Sequence, residues 1–274
     1  MASILKTARA FIPADFRIST WLILGASLEC LAILTLPRNI SVLPPLALLI
    51  YRILHGYLTA TGTLPNPLNR NRTLGRTTWQ IPSADNTLTP KPSSDSIVVL
   101  VLSASWSHPS GRFSPGSAQM GQYFSAMWRD AAAHREDYGF LGNTPGMVTV
   151  DDGMREDSEG VTMMYLSYWK TLEGLHKFAH GEKHMKGQLW WERTAMKTFK
   201  HLGVMHETYE VPAGNWENVF HNFKPFGIAN AKFPVSVSGK EEVEWVSGLR
   251  PANGKEWKSM AARMGRKDIE STTS

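Results

Sequence analysis

Residues 163–184 read Met-Met-Tyr-Leu-Ser-Tyr-Trp-Lys-Thr-Leu-Glu-Gly-Leu-His-Lys-Phe-Ala-His-Gly-Glu-Lys-His. Met163 to Trp169 is an apolar run with β-forming aromatics, which predicts a strand ending at Trp169. Leu172, Leu175 and Phe178 then recur at helical spacing, so a short inward-facing helix follows. A second helix opens near Gly181. This strand–turn–helix–helix order sets the reading of everything around it.

Upstream, Ile97 to Ser105 is a strand, and its unbroken apolar run implies burial on both faces. Trp106-Ser-His108 begins a loop. Ser114-Pro115 marks a helix start, because proline suits the first turn. Met120, Phe124, Met127 and Ala131 form one face of that helix, which ends near His134. Residues 139–142 and 144–146 read as turns, and Met147 to Val150 as a second strand. An acidic hairpin loop spans 151–160, before the third strand, Val161 to Trp169. Downstream, Met185, Leu189, Glu192, Met196 and Phe199 trace a helical stripe, and Gly203 to Val211 is a fourth strand. The order β-α-β-β-α-β predicts an α+β, ferredoxin-like domain with helices on one sheet face.

The rest of the chain differs in character. Residues 18–36 and 40–58 are each near the length that crosses a bilayer as a helix. Pro37-Arg38-Asn39 lies between them, so residues 1–60 read as a helical membrane hairpin. Glu29 falls within the first span, and Pro44-Pro45, Arg52 and His55 interrupt the second. Alternatives are a half-inserted hairpin, one span plus a surface helix, or two buried helices of a soluble protein. Lys6, Arg9 and Arg17 precede the pair and Arg70, Arg72 and Arg76 follow it. By the positive-inside rule both ends face the cytosol, which predicts an endomembrane such as the endoplasmic reticulum. Residues 61–96, rich in Pro, Asn, Ser and Thr, read as an irregular linker. The folded domain is then 97–232, and 233–274 is a polar tail with Trp245 and Trp257 as isolated anchors.

Composition excludes several classes. The chain of 274 residues carries a net charge of +5, but its basic residues are scattered. Nucleic-acid binding requires a continuous basic face. The single cysteine, Cys30, rules out a disulfide framework or a cysteine zinc site. There is no Gly-x-Gly-x-x-Gly after a strand and no Walker loop, so Rossmann cofactors and nucleoside triphosphates are disfavoured.

The β-α-β-β-α-β order, with an aromatic closing its third strand and histidines just beyond, resembles the dimeric α+β barrel superfamily. More narrowly, it is similar to the group containing the antibiotic-biosynthesis monooxygenases. The run from His206 through Tyr209, Gly214, Trp216, Glu217, Asn222 and Pro225 to Gly227 looks like the C-terminal signature of a fungal and bacterial branch, formerly a domain of unknown function. The resemblance covers about residues 97–230. It implies a homodimer with a cavity in each subunit and a membrane-anchored monooxygenase acting on a hydrophobic secondary-metabolite intermediate, terpenoid or polyketide. Relatives on this fold also include haem-binding dehydratases and proteins without known activity. A haem-dependent dehydratase or peroxidase, and a non-catalytic membrane scaffold, therefore stand as alternatives.

Cofactor-independent enzymes of this type draw electrons from the substrate and need a dry cavity and a proton acceptor. His206 is the expected base and Tyr209 its hydrogen-bond partner. Because side chains alternate along a strand, His206 shares one face with Thr208, while Glu207 and Tyr209 share the other. His180 and His184 lie four apart, on one face if the helix is continuous. A metal site would need a third ligand, and none is expected. Trp106 and His108 after the first strand, Trp169, one of Trp190 or Trp191, and Asn215 and Trp216 are candidates for the cavity wall. No cofactor is expected. Haem stays open, since one histidine suffices as its axial ligand.

Overall fold

A computed structural model of the chain describes residues 15–83, 91–149, 160–236 and 243–267. Among the described residues two compact units emerge, one within residues 15–72, the other formed by those between 73 and 149 together with those between 160 and 267.

In the first unit, α1 (Ile18–Thr35) and α2 (Leu43–Ala60) are joined through a helical turn at Arg38–Ser41. Neither long helix buries any residue. Both are long and apolar enough to cross a membrane. Pro44 and Pro45 do not interrupt α2 as the sequence suggested. They fall in its first turn, where no backbone donor is lost.

The second unit is built on one antiparallel sheet. Its strands are β2 (Ile97–Trp106), β3 (Phe140–Asn143), β5 (Val161–Trp169) and β6 (Leu202–Val211), in the order β3-β5-β2-β6. A short β4 (Met147–Val148) also pairs with β5. β2 is central. It pairs with β5 from Val98↔Trp169 to Trp106↔Val161, and with β6 from Ile97↔Val211 to Trp106↔Leu202. On one face lie α3 (Ser117–Ala133), α4 (Leu172–Ala179) and α5 (Glu182–Trp190), the last continuing into a π turn at Trp191–Ala195. This is the ferredoxin-like order expected.

One strand was misread. Residues 140–143 are not a turn but β3, paired with the end of β5. Phe140 and Leu141 are both buried, and that burial outweighs the flanking glycines. Gly142, at φ 151°, carries the register shift. Of the expected strand at 147–150, β4 takes Met147 and Val148, Val150 lies outside the described residues, and so does almost all of the expected acidic hairpin loop.

The largest departures concern the linker and the tail. The expected irregular linker contains β1 (Arg76–Trp79). The expected polar tail supplies the hairpin of β8 (Lys232–Ser236) and β9 (Val243–Ser247), then β10 (Leu249–Pro251). β1 pairs with β10 on one side and with β7 (Phe220–His221) on the other. Trp79 is fully buried, and its indole N–H donates to the Ala231 carbonyl at 3.0 Å. Asn218 acts as a surrogate strand for it, accepting the Trp79 N–H at 2.6 Å and donating to the Trp79 carbonyl at 3.0 Å. Gln80 is equally buried and accepts the Ser93 N–H at 2.7 Å. Polar residues such as Gln80 made the segment look irregular, yet the Asn218 and Gln80 amides satisfy backbone groups that would otherwise be left bare.

Trp79 gathers Ile97, Tyr168, Trp216, Ile228 and Phe233 into a core on the sheet face away from the helices. Part of the face expected to await a second copy is thus covered by the chain itself. Trp257 is also buried rather than an isolated anchor. Arg263, nearly buried, pairs with Glu217 at 2.6 Å and donates to the Trp257 carbonyl, which fixes the C-terminal segment to this core.

Replacing Trp79 by alanine should therefore cost the domain about 3–5 kcal/mol, the range for emptying a buried indole site. Chemical denaturation of the detergent-solubilised chain measures this. A loss below about 1 kcal/mol would mean the segment does not fold with the domain.

Candidate functional site

Two apolar clusters occupy the helix side of the sheet. At one end Val98, Leu100, Met127, Trp169, Leu175 and Phe178 pack together. At the other are Ala104, Trp106, Met120, Val161 and Leu202. Between them lies a cavity of about 600 Å³, well within the range of small-molecule sites.

Its walls differ in chemistry. Leu100 and Leu102 of β2 and Met120, Phe124, Met127 and Trp128 of α3 form an apolar floor. The opposite wall carries His176, His180, His184, Gln188 and Glu192, each four residues beyond the last. Spacing by four keeps successive side chains near one helix face, and the α4–α5 break and the π turn keep all five on this wall. The edge strand β6 closes the third side with Val204, His206 and Thr208. These β6 residues stay exposed, as does most of the polar row, so the mouth opens between β6 and the polar helix wall.

The π turn has a direct consequence. In an α-helix, adjacent residues diverge by about 100°, so only one of Trp190 and Trp191 was expected inward. Both line the cavity. Trp190 packs on Tyr123 with ring centroids 5.1 Å apart and sits 6.4 Å from Trp191.

His184 is the most constrained polar group. Its ring meets Phe178 edge-on at 5.5 Å. Its Nδ1 is enclosed and makes no hydrogen bond of good geometry among the described residues. Burial is the main influence and lowers its pKa below the ordinary imidazole value; the Ala179 carbonyl beside it acts the opposite way, and His206 and His180 lower it further. His180, by contrast, is exposed and its Nδ1 lies 2.8 Å from the His176 carbonyl. Among the described residues no group of three or more His, Cys, Asp or Glu is placed to hold a metal ion.

Of the residues chosen from the sequence, His206, His180, His184 and Trp191 come together at this cavity. Tyr209 does not join them. It points from the other face of β6, half exposed, and donates to Glu207 at 2.6 Å. That hydrogen bond to a carboxylate, with the carboxylate charge, raises its pKa, which makes it a poorer proton donor. Period-two alternation already separated it from His206.

The remaining candidates are structural. Trp169 is fully buried between Phe140 and Phe178, each 4.9 Å away, and donates to Ser167. Trp106 is buried in the cluster at the far end of the sheet. His108 accepts the Ser110 N–H and lies against His201 with ring centroids 4.8 Å apart and planes tilted by 53°, outside the cavity lining. Trp216 belongs to the core on the other sheet face and donates to the Asp95 carbonyl at 2.8 Å. Asn215 accepts from Arg266 in the C-terminal segment. The sequence reading missed His176, Gln188, Glu192 and Tyr123, and expected only one of Trp190 and Trp191 where both line the cavity. The four-residue polar repeat from His176 to Glu192 was the available signal for the first three.

The family whose sequence model is described as Monooxygenase af470-like matches residues 97–228, which include the sheet, the helices and the whole cavity. A curated relative, monooxygenase af470 of Aspergillus fumigatus, is 30% identical over 258 residues, spanning 94% of this chain and 90% of the relative. The chain belongs to the monooxygenase af470-like family. It is an enzyme, a monooxygenase, and the relative's match reaches beyond the cavity domain into the rest of the chain. Solved structures give partial overlays. An aldoxime dehydratase crystallised with butyraldoxime aligns over 54% of this chain and 34% of its own, at 14% identity and a TM-score of 0.37. SnoaB, a cofactor-independent oxygenase from Streptomyces nogalater, aligns over 42% of this chain and 92% of its own, at 12% identity and a TM-score of 0.24. The assignment of this monooxygenase rests on the family model and the sequence relative.

The depressed imidazole of His184 has a stability consequence. As pH falls through the ordinary value of about 6.5, the unfolded chain binds a proton that the folded chain still refuses. Stability then falls with acidification until pH drops below the folded-state value. Above about 6.5 neither state binds it and the contribution is full. His184→Gln should flatten the acid side of a plot of denaturation midpoint against pH. An unchanged slope would assign the acid sensitivity elsewhere.

Proposed function

We propose that this monooxygenase oxidises a hydrophobic, weakly acidic secondary-metabolite intermediate, terpenoid or polyketide, with no resident cofactor. One observation carries the reading: a cavity with an apolar floor faces a wall of imidazoles, in the region the family model matches. The floor desolvates a carbon skeleton, and an imidazole takes a proton from it. In the balanced overall reaction a methylene and dioxygen become a carbonyl and water, and the substrate carbon supplies every electron. His206, on the strand wall of the cavity, is the acceptor that the sequence nominated.

Two further features belong to the same proposal. The hairpin of α1 and α2 anchors the enzyme in an endomembrane, with the cavity domain in the cytosol, so that a lipid-soluble substrate need not cross bulk water. Its support is two apolar helices without a buried residue. The enzyme is also a homodimer, in which a second copy covers the outer face of β6. There Met205 and Tyr209 are 41% and 51% exposed.

The test is deletion of the gene in the producing organism, with lipophilic metabolites followed under isotopically labelled dioxygen. The expected result is loss of a product bearing one labelled oxygen, restored by the wild-type gene. An unchanged profile would point to a scaffold. A Soret band in the purified full-length protein would move the chemistry to haem, with a cavity histidine as axial ligand. In membrane fractionation the protein should resist alkaline carbonate, and removal of residues 1–60 should release it. Release of the full-length protein by carbonate would overturn the anchor.

A further inference from the structure

The proposed function requires an imidazole that takes a proton, and several line the cavity. Their surroundings differ. His206 sits on an edge strand with both faces exposed, so bulk water reaches it. His184 is set into the helix wall against Phe178, with Nδ1 enclosed. It occupies the first turn of α5, where the helix dipole opposes positive charge. The Ala179 carbonyl lies near the ring, and Nδ1 is enclosed without a hydrogen bond of good geometry among the described residues, so Nε2 is the nitrogen that a ligand in the cavity would meet. His206 is close enough for its charge to disfavour the imidazolium of His184.

We propose that His184 is the catalytic base and His206 the exit for its proton: Nε2 of His184, in the tautomer protonated on the enclosed Nδ1, abstracts an acidic C–H proton of a hydrophobic carbonyl compound, and His206 on the facing strand passes that proton to solvent. The C–H bond breaks, its proton forms the Nε2–H bond, and the electron pair stays on the substrate as an enolate. When His206 accepts the proton, His184 returns to its neutral form. The substrate class that follows is a carbon acid, an enolisable ketone or its phenolic equivalent. Its hydrocarbon part lies on Leu100, Leu102 and Met127.

The charged and titratable groups facing His184 support this division. Tyr123 reaches the cavity from α3, His176 from α4, His180 from the residue that ends it, Glu192 from the π turn and His206 from β6. Glu192 already accepts from Gln188 at 2.8 Å, so it is engaged at the mouth. Burial, the helix start and the neighbouring imidazoles all keep His184 neutral and ready to accept.

This inference rests on the carbon-acid reading above, and the experiment separates the two. The full-length protein in detergent micelles is given α-deuterated β-tetralone without oxygen. Loss of deuterium is followed by mass spectrometry, and binding by quenching of tryptophan fluorescence. Wild type should speed the exchange. His184→Gln should slow it about 100-fold or more, the scale of a general base, while still binding the ketone. His206→Gln should slow it less, and should move the acid limb of the pH profile upward, because a neighbour that disfavours the His184 imidazolium is gone. Nitrogen-15 NMR of labelled histidine should find His184 protonated on Nδ1 at neutral pH.

Exchange by His184→Gln at the wild-type rate would overturn the assignment of the base and leave the carbon-acid reading standing. An Nε2-protonated His184 would overturn it as well, in any background. Bound ketone with no exchange in the wild type would overturn both readings. An unmoved acid limb in His206→Gln would remove His206 from the proton path.

Discussion

β2 is apolar on both faces and is hydrogen-bonded along its whole length on both sides. A strand so placed forces two coverings, because each exposed apolar face would cost roughly 25 cal/mol for every Å² left in water. The helices meet one demand. β1, the β8–β9 hairpin and the segment around Trp216 meet much of the other. Every other feature of the domain follows from how those coverings are made.

The helix-side covering is incomplete by design of its geometry. α3, α4 and α5 pack over the two ends of the sheet but leave the middle of β2 and β6 unfilled. A buried void of this size would be costly if it were closed and apolar throughout. Here a polar row and an open mouth let solvent or ligand occupy it. The π turn is part of the same compromise. It interrupts a regular helix at the cavity wall, as π segments often do at functional sites, and brings two adjacent indoles to one surface.

The chemistry concentrates where the wall changes character. His184 belongs by burial to the apolar side and by composition to the polar row. Such a position encloses one ring nitrogen and, by burial, favours the neutral imidazole. His206 has the opposite setting, wet and on a strand edge. In the proposed scheme, that contrast of surroundings separates the base from the exit for its proton. Tyr209 is denied a part in this by one residue of alternation, which sends it to the other face with Glu207.

Patterning over Ile97–Ser105, Val161–Trp169 and Leu172–Phe178 made the ferredoxin-like order readable from sequence, because hydrophobic period is local and those segments are strongly periodic. The apolar helices near the start were readable for the same reason. β3 was not, since glycines flank Phe140 and Leu141 and only pairing with β5 makes a strand of them. Nor was β1: Thr77, Thr78 and Gln80 look like linker residues until Asn218, from far along the chain, pairs with the Trp79 backbone and the Gln80 side chain accepts the Ser93 N–H. For the site, the sequence by itself supplied the histidines, the facing of His206 and the spacing of His180 and His184. Only the tertiary structure decided that His184 is enclosed, that Trp190 and Trp191 both face inward, and that Trp106, Trp169 and Trp216 are core. Those are decisions about which side chain loses its water, and that depends on contacts between segments that no local pattern encodes.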